Sequence, residues 1–296
     1  MTGYEPLSAA DIANLASPCC RASLEPVGGA LVCATCARSW PVQDNLPRLF
    51  EPEAVRGNDR LMRLIYDNLA PLHDPAVSVL LPLMGSGTEG VMRRRYFERL
   101  ELSSLRSSAG EPVRILEVGM GTGANVPRIY DALPSGLDVE LWGVDLAEMM
   151  LRGCVRRVKK AHRKMPRLVV ADAHALPFRE GFFDRVFHIG ATNNYRDPDR
   201  ALAEMGRVAK PGTPIVVVDE RLAPGEQHSL YHRVAYRLAT FYDFEQRDPK
   251  TMVPREAVDV RDEQIARFFY CLTFAMPRSP GPKGEPSRAT APASGR

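Results

Sequence analysis

Glycines 119, 121 and 123 carry the plainest chemical message in this chain. They follow an apolar run, Ile115-Leu116-Glu117-Val118, and a helix-forming stretch begins at residue 124. Strand, glycine turn and helix in that order bare the backbone at the carboxyl end of a strand. A nucleotide-like cofactor can then approach the amides with no Cβ in the way. Two more apolar runs, 140–145 and 168–172, end in the carboxylates Asp145 and Asp172. An acid at the first of these places can accept two hydrogen bonds from a ribose. His188 closes a further run and Tyr195 follows shortly after. Both are candidate catalytic groups, with a packed or hydrogen-bonded histidine as the alternative for His188. Cys19, Cys20, Cys33 and Cys36 lie near the amino end, and a structural zinc site needs four such soft ligands.

These residues need a scaffold. Apolar runs near 114–118, 140–145, 168–172, 183–190 and 214–220 alternate with stretches of helical spacing at 124–133 and 201–208. That alternation predicts an α/β fold with a parallel, doubly wound sheet. Residues 258–265 and 268–275 read as two last strands, the final one antiparallel. Ahead of the sheet, 61–69, 77–84 and 93–100 have helical spacing, and 107–111 read as a linker. Residues 230–244 form an aromatic-rich amphipathic helix whose apolar face is expected to pack mostly on the sheet. Residues 277–296, rich in proline and glycine without a large apolar side chain, are expected to be disordered.

The 296 residues suffice for one large domain and one small one. A hydrophobic share of 45% and a charged share of 25% are ordinary for a globular protein. A net charge of +3 is too small to argue for nucleic acid. The basic stretch 152–164 is read as a solvated helix face rather than a phosphate patch. No apolar segment is long enough for a membrane span, and the amino end lacks the layout of a secretory signal. The expected compartment is therefore cytoplasmic, with reduced thiols. Cys154 and Cys271, in helix-like and strand-like runs, are expected to be core residues.

Taken together, Glu117-Val118-Gly119-Met120-Gly121-Thr122-Gly123, then Asp145, then Asp172-Ala173 with Leu176-Pro177-Phe178, then Arg207-Val208-Ala209-Lys210-Pro211-Gly212 resemble class I S-adenosylmethionine-dependent methyltransferases. The nearest branch includes quinone and small-molecule methyltransferases. The resemblance implies a Rossmann-like, doubly wound seven-stranded sheet, mostly parallel with an antiparallel last strand. It implies S-adenosylmethionine (SAM) as cofactor, with Gly119, Gly121 and Gly123 at its methionine and ribose portions. Glu117 would orient the methionine amino end and Asp145 the ribose. Asp172 and the Ala173 backbone would meet the adenine edge, Leu146 and Met120 its faces, and His188 would lie beside the cofactor. Capping of a helix start is the other reading of Glu117 and Asp172. A dinucleotide-binding dehydrogenase would more usually show Gly-x-Gly-x-x-Gly; here Ala124 follows Gly123. The Asn/Asp-Pro-Pro-Tyr pattern of many amine-directed methyltransferases is absent. The expected acceptor is a small, apolar or aromatic, quinone-like molecule. The alternatives are an rRNA or tRNA methyltransferase and a non-catalytic SAM-binding scaffold.

Residues 17–50 resemble the small ribbon module of the Trm112-like type, often fused to or partnered with methyltransferases. The resemblance implies a zinc site and a protein partner. Cys20, Cys33 and Cys36 match its ligand positions, while Ser17 stands where the first cysteine belongs. Cys19 is the remaining fourth ligand, although neighbouring cysteines seldom reach one metal without strain. A metal-free ribbon held by Leu24, Leu31, Val32, Trp40 and Val42 is the other reading. The expected organisation is a ribbon at 1–50, a helical lead-in and pocket cover at 51–112, the methyltransferase domain at 113–276 and the tail.

Overall fold

A computed structural model describes residues 3–83, 89–107, 110–190, 192–240 and 247–278. Nearly all of the expected tail, the end of the expected aromatic helix (241–244) and part of the expected linker lie outside the described residues. In chain order the elements are helix α1 (Ala9–Ile12), strands β1 (Leu24–Val27), β2 (Ala30–Cys33), β3 (Ser39–Gln43) and β4 (Leu46–Leu49), then helices α2 (Gly57–Leu83) and α3 (Glu89–Arg99). There follow β5 (Val113–Val118), α4 (Val126–Ala132), β6 (Val139–Asp145), α5 (Glu148–Lys160), β7 (Arg167–Ala171), β8 (Arg185–Ile189), α6 (Pro198–Val208), β9 (Ile215–Glu220), α7 (Leu230–Ala239), β10 (Val258–Ala266) and β11 (Phe269–Ala275).

The central strands are buried because they are apolar on both faces, as parallel strands covered by helices must be. In β5 and β9 nearly every residue is buried. Strands β4, β7, β6, β5, β8 and β9 run parallel in that spatial order. β11 adds antiparallel to β9, and β10 antiparallel to β11. From β5 the chain builds outward to β6 and β7 on one side, then returns to β8 and β9 on the other. The carboxyl ends of β5 and β8 therefore flank the switch point, where such sheets bind ligands.

One expectation needs correction. Instead of a seven-stranded sheet beside a separate ribbon, the structure has a single eleven-stranded sheet. The antiparallel strands β1 to β4 join it through β4, with Arg48 opposite Val170 and Leu49 opposite Ala171. β7 would otherwise present an unpaired edge, and β4 satisfies it. The two-residue turn before β4 uses Asp44 (φ 54°) and Asn45 (φ 67°), a left-handed pair that matches hairpin twist. Leu24, Leu31, Trp40 and Leu49 share one core cluster with Trp142, Val144, Phe178 and Phe183. Trp142, fully buried, meets Phe178 edge-on at 5.5 Å and Phe183 at 6.4 Å.

Two of the expected helices behave unlike their patterns. In α7, Tyr236 is buried and stacks on Phe268 at 5.8 Å, whereas Leu230, Val234 and Leu238 face solvent. Over Leu230–Ala239 the side carrying Tyr236 packs and the aliphatic side does not, which departs from the expectation that the apolar face packs mostly on the sheet. α2 runs unbroken through both expected stretches up to Leu83 and crosses the carboxyl end of the sheet; Asn58 Nδ2 donates to the Asn194 carbonyl at 2.9 Å.

Because the amino-terminal strands share the sheet and its core, they should unfold with it. The only two tryptophans, Trp40 and Trp142, report one from each part. Trp40→Phe and Trp142→Phe variants should give coincident urea transitions by fluorescence. Leu49→Ala, at a fully buried position, should lower stability by about 2–5 kcal/mol and shift both probes together.

Candidate active site

The turn after β5 positions the glycines. Gly119, Gly121 and Gly123 all have positive φ, at 70°, 55° and 69°. A Cβ on Gly119 would lie 3.1 Å from the His188 ring, and one on Gly123 2.5 Å from the Cys154 sulfur. Glycine is required here by conformation and by space together. The turn is tied down by Asp145, at the end of β6. One carboxylate oxygen accepts from the Gly121 amide at 2.8 Å and the other from the Ala147 amide, at the start of α5, at 2.9 Å.

Glu117 is buried, and its Oε1 accepts from Asn125 Nδ2 at 2.5 Å. The Asn125 carbonyl oxygen in turn accepts from the Tyr96 hydroxyl at 3.1 Å. A chain from α3 through Asn125 thus sets the angle of the β5 carboxylate. Asp172, also buried, caps the short turn Ala173–Ala175 by accepting from the His174 amide at 2.9 Å. The same oxygen lies 2.5 Å from His174 Nδ1, while Arg196 donates to the other at 3.2 Å. Burial raises the Asp172 carboxyl, but the His174 hydrogen bonds and the Arg196 charge outweigh it and hold it below the usual range. Arg196 also pairs with Asp59 on α2. The amide of Asp197 donates to His174 Nε2 at 3.3 Å, so Nδ1 carries that ring's proton.

His188 and Tyr195 come together. Tyr195 Oη lies 3.3 Å from His188 Nδ1, and the two rings are 5.2 Å apart. His188 is fully buried and its Nδ1 lies 2.7 Å from the Val118 carbonyl. Nδ1 must therefore carry the proton, which leaves Nε2 a bare lone pair. That lone pair has no hydrogen-bond partner among the described residues. Burial lowers the His188 pKa against the opposing pull of Asp219, so the ring is neutral. Burial likewise raises the Tyr195 phenol well above its ordinary value, with Asp145 and Asp172 pushing the same way. Thr192 Oγ1 and Asn194 Oδ1, in the turn after β8, are also buried without hydrogen-bond partners among the described residues. Three polar atoms thus lie buried together at the switch point with no hydrogen-bond partner among the described residues, an arrangement that calls for a physical reason.

The sequence-derived site residues do not all face this centre. Met120 is buried, and its side chain fills the space that the missing Cβ of Gly143 leaves beside Leu168. It packs into the core. Leu146 is partly buried against the same core cluster, and Ala173 sits in the capped turn. Arg196, Asp59 and Asn125 were missed. Asn125 directly follows the glycine turn and Arg196 follows Tyr195, so adjacency was the available signal; nothing in sequence links Asp59 to Asp172.

A second cluster lies in the amino-terminal unit. The sulfurs of Cys19, Cys20, Cys33 and Cys36 all lie within 4.8 Å of one another, with Cys19 to Cys36 at 3.2 Å and Cys20 to Cys33 at 3.4 Å. The Cys19 sulfur joins the other three, so adjacency to Cys20 does not keep it out of the cluster. Two tight turns allow it: Arg21 N donates to the Ser17 carbonyl and Ala37 N to the Cys33 carbonyl, with Arg21 and Ala37 left-handed. Ser17 Oγ accepts from the Ala22 amide at 3.1 Å and supports the turn. Thiols this far apart are unbridged, since a disulfide needs about 2.05 Å. A tetrahedron with zinc–sulfur bonds of about 2.3 Å spaces sulfurs by about 3.8 Å, close to what the cluster offers.

Comparison with known proteins accords with this geometry. Residues 116–217 match a methyltransferase domain family. The chain is 31% identical to the demethylmenaquinone methyltransferase of Thermus thermophilus over 173 residues, 58% of this chain and 72% of that protein. It belongs to the S-adenosylmethionine-dependent methyltransferase family. It is also 34% identical over 139 residues to the ubiquinone/menaquinone biosynthesis C-methyltransferase UbiE of Bordetella avium, 47% of this chain and 49% of that one. The chain thus spans about half the length of that curated relative. A putative S-adenosyl-L-methionine-dependent methyltransferase from Methanococcus maripaludis superposes with a TM-score of 0.51 at 13% identity, over 73% of this chain and 95% of that one. That likeness concerns the fold. Among the described residues no helix is long and apolar enough to cross a membrane.

Burial of neutral His188 has a pH signature. Its folded pKa lies below the unfolded value of about 6.5. Between the two the unfolded chain holds more protons. The His188 contribution is therefore fully present above about pH 7 and is lost as pH falls below about 6.5, by up to about 1.4 kcal/mol per pH unit. Urea midpoints from pH 7.5 to 5.5 (roughly the window of an unperturbed imidazole) should fall more steeply for the native chain than for His188→Gln.

Proposed function

We propose that the protein transfers a methyl group from SAM to a small, apolar, quinone-like aromatic acceptor. The observation that carries this reading is the glycine turn locked to Asp145 at the switch point, beside the orphaned polar atoms of His188, Thr192 and Asn194. The donor set suits SAM. Gly119, Gly121 and Gly123 leave the turn open to a ligand backbone, Glu117 suits an ammonium group, and Asp145 suits a ribose. Asp172 and the Ala173 amide suit an adenine edge, with Asp172 already oriented by His174 and Arg196. Bound SAM supplies a methyl group activated by its sulfonium. The remaining work for the protein is to align the acceptor, exclude water and take up a proton where one is lost. Neutral His188 offers the Nε2 lone pair for that proton. Tyr195, kept protonated, holds and polarises an acceptor oxygen. The names of the two relatives, both quinone methyltransferases, support the acceptor class.

We further propose that the amino-terminal unit is a Trm112-like ribbon in which Cys19, Cys20, Cys33 and Cys36 hold a structural zinc. Its β4 edge is already occupied by β7, which favours a role in completing the sheet over recruiting a partner protein. Nothing in the site favours nucleic acid.

Calorimetry of the purified chain should show binding of SAM and S-adenosylhomocysteine and none of NADH. Asp145→Ala should weaken both sulfur ligands roughly 10-fold or more, the loss of charge-assisted hydrogen bonds. Unchanged affinity in that variant would sink the site assignment. A demethylated quinol should then be methylated by the native chain, and turnover should fall in Tyr195→Phe with SAM affinity kept. Elemental analysis of protein purified without chelator should find about one zinc per chain, and replacing Cys36 with serine should reduce it.

A further inference from the structure

Two helices at the mouth of the site present aliphatic stripes to solvent. On α2, Leu61, Leu64 and Leu72 fall on one face, with Leu64 61% and Leu72 62% exposed. On α7, Leu230, Val234 and Leu238 recur every fourth residue, with Leu230 77% and Leu238 71% exposed. Single exposed leucines need no explanation, but aligned rows on two helices do. Both helices are fastened to the same spot. The Asn58 side chain of α2 bonds to the Asn194 carbonyl, Asn193 Nδ2 bonds to the Glu220 carbonyl at 2.9 Å, and the Tyr236 hydroxyl of α7 approaches that carbonyl at 3.5 Å. The stripes therefore frame the carboxyl ends of β8 and β9, where the candidate acceptor side lies.

Charge indicates the occupant. α7 contains no acidic residue and exposes Arg233 beside its stripe; Tyr231, half-exposed, sits at the margin. On α2 the exposed Arg60 adjoins Leu61 and Leu64, while Asp59 is buried against Arg196 and Asp67 is turned inward, accepting from the Met149 amide at 3.1 Å. Among the described side chains, neither exposed face carries an acid. An aliphatic row, basic residues at its border and an aromatic ring at the margin suit a helix lying flat in the interface of an anionic bilayer.

We propose that α2 and α7 together form a lipid-docking surface that seats the mouth of the site on an anionic membrane. The protein touches the bilayer without spanning it. An apolar acceptor dissolved in the lipid would then enter between the two helices without crossing water. The docking surface stands on its own observations and goes beyond the catalytic reading.

The test is flotation of the full-length protein with phosphatidylcholine vesicles, with and without phosphatidylglycerol, in the absence of SAM and acceptor. Binding is expected to the anionic vesicles, and it should weaken with added salt. Leu64→Ser with Leu72→Ser, and separately Leu230→Ser with Leu238→Ser, should each lower the bound fraction roughly tenfold. Because these side chains are exposed, circular dichroism and melting temperature should match the native chain. No flotation with either vesicle, or flotation unchanged in both double variants, would overturn the proposal. So would a native dimer by light scattering that the same variants dissociate, since the face would then belong to a second copy. None of these outcomes depends on methyl transfer, so the docking surface and the catalytic reading stand or fall separately.

Discussion

A single carboxylate at the end of β6 sets the geometry of the site. Asp145 accepts from the Gly121 amide on one oxygen and from the Ala147 amide on the other. The first bond fixes the turn leaving β5 and the second fixes the start of α5. A turn of three left-handed glycines has the largest conformational freedom to lose, and glycine gives it no side chain to anchor. The anchor therefore has to come from a neighbouring strand. Gly119, so held, is pressed against His188, whose own Nδ1 is fixed by the Val118 carbonyl of the same strand end. Three adjacent strands thus constrain one another at their carboxyl ends, and the lone pair of His188 is left over as a consequence of that packing.

A second network ties the cover to the floor. Arg196 bonds to both Asp59 and Asp172, so the start of α2 and the carboxylate beside the capped turn share one cation. Both acids are nearly dry, and charges buried at such a place are stable only when paired. The arrangement makes the position of α2 sensitive to whatever else approaches Asp172. Tyr96 and Asn125 do the same for Glu117 from α3. The helices between β4 and β5 thereby orient the acids at the strand ends.

Most of the sheet was legible in the sequence, because parallel strands covered on both faces must be continuously apolar and the glycine turn has few other uses. The motif Arg207-Val208-Ala209-Lys210-Pro211-Gly212 was legible for a structural reason: Arg207 donates to the carbonyls of Leu176 and Phe178 at 2.8 Å, and Lys210 Nζ lies 2.6 Å from Asp184. It clamps the segment carrying Leu176-Pro177-Phe178, so the two motifs belong together in space. Pairing between distant segments was not legible. Nothing local announces that Leu49 will lie beside Ala171 or that Asp59 will meet Arg196. The inward turn of Met120 was not legible either, since the hollow over Gly143 that takes its flexible side chain lies on another strand. The α7 pattern misled because amphipathicity tells that a helix has two faces and leaves open which one the protein buries.

The amino-terminal unit solves a problem that the rest of the sheet creates. A βαβ layer grown outward from β5 ends at β7 with a row of unpaired backbone groups. β4 covers them, and the antiparallel strands behind it contribute Leu31 and Trp40 to the same core that holds Trp142. A short ribbon has little apolar surface of its own and needs a staple at its far end. The four sulfurs gather at that end, in the turns before β1 and after β2, on the side away from the β4–β7 seam. Fixing those turns fixes the register of β1 and β2. That register pairs Leu24 with Cys33 and Pro26 with Leu31, and Leu24, Leu31 and Cys33 all belong to the shared core. The cysteine cluster can thus support the fold at a distance from the glycine turn without touching the chemistry there.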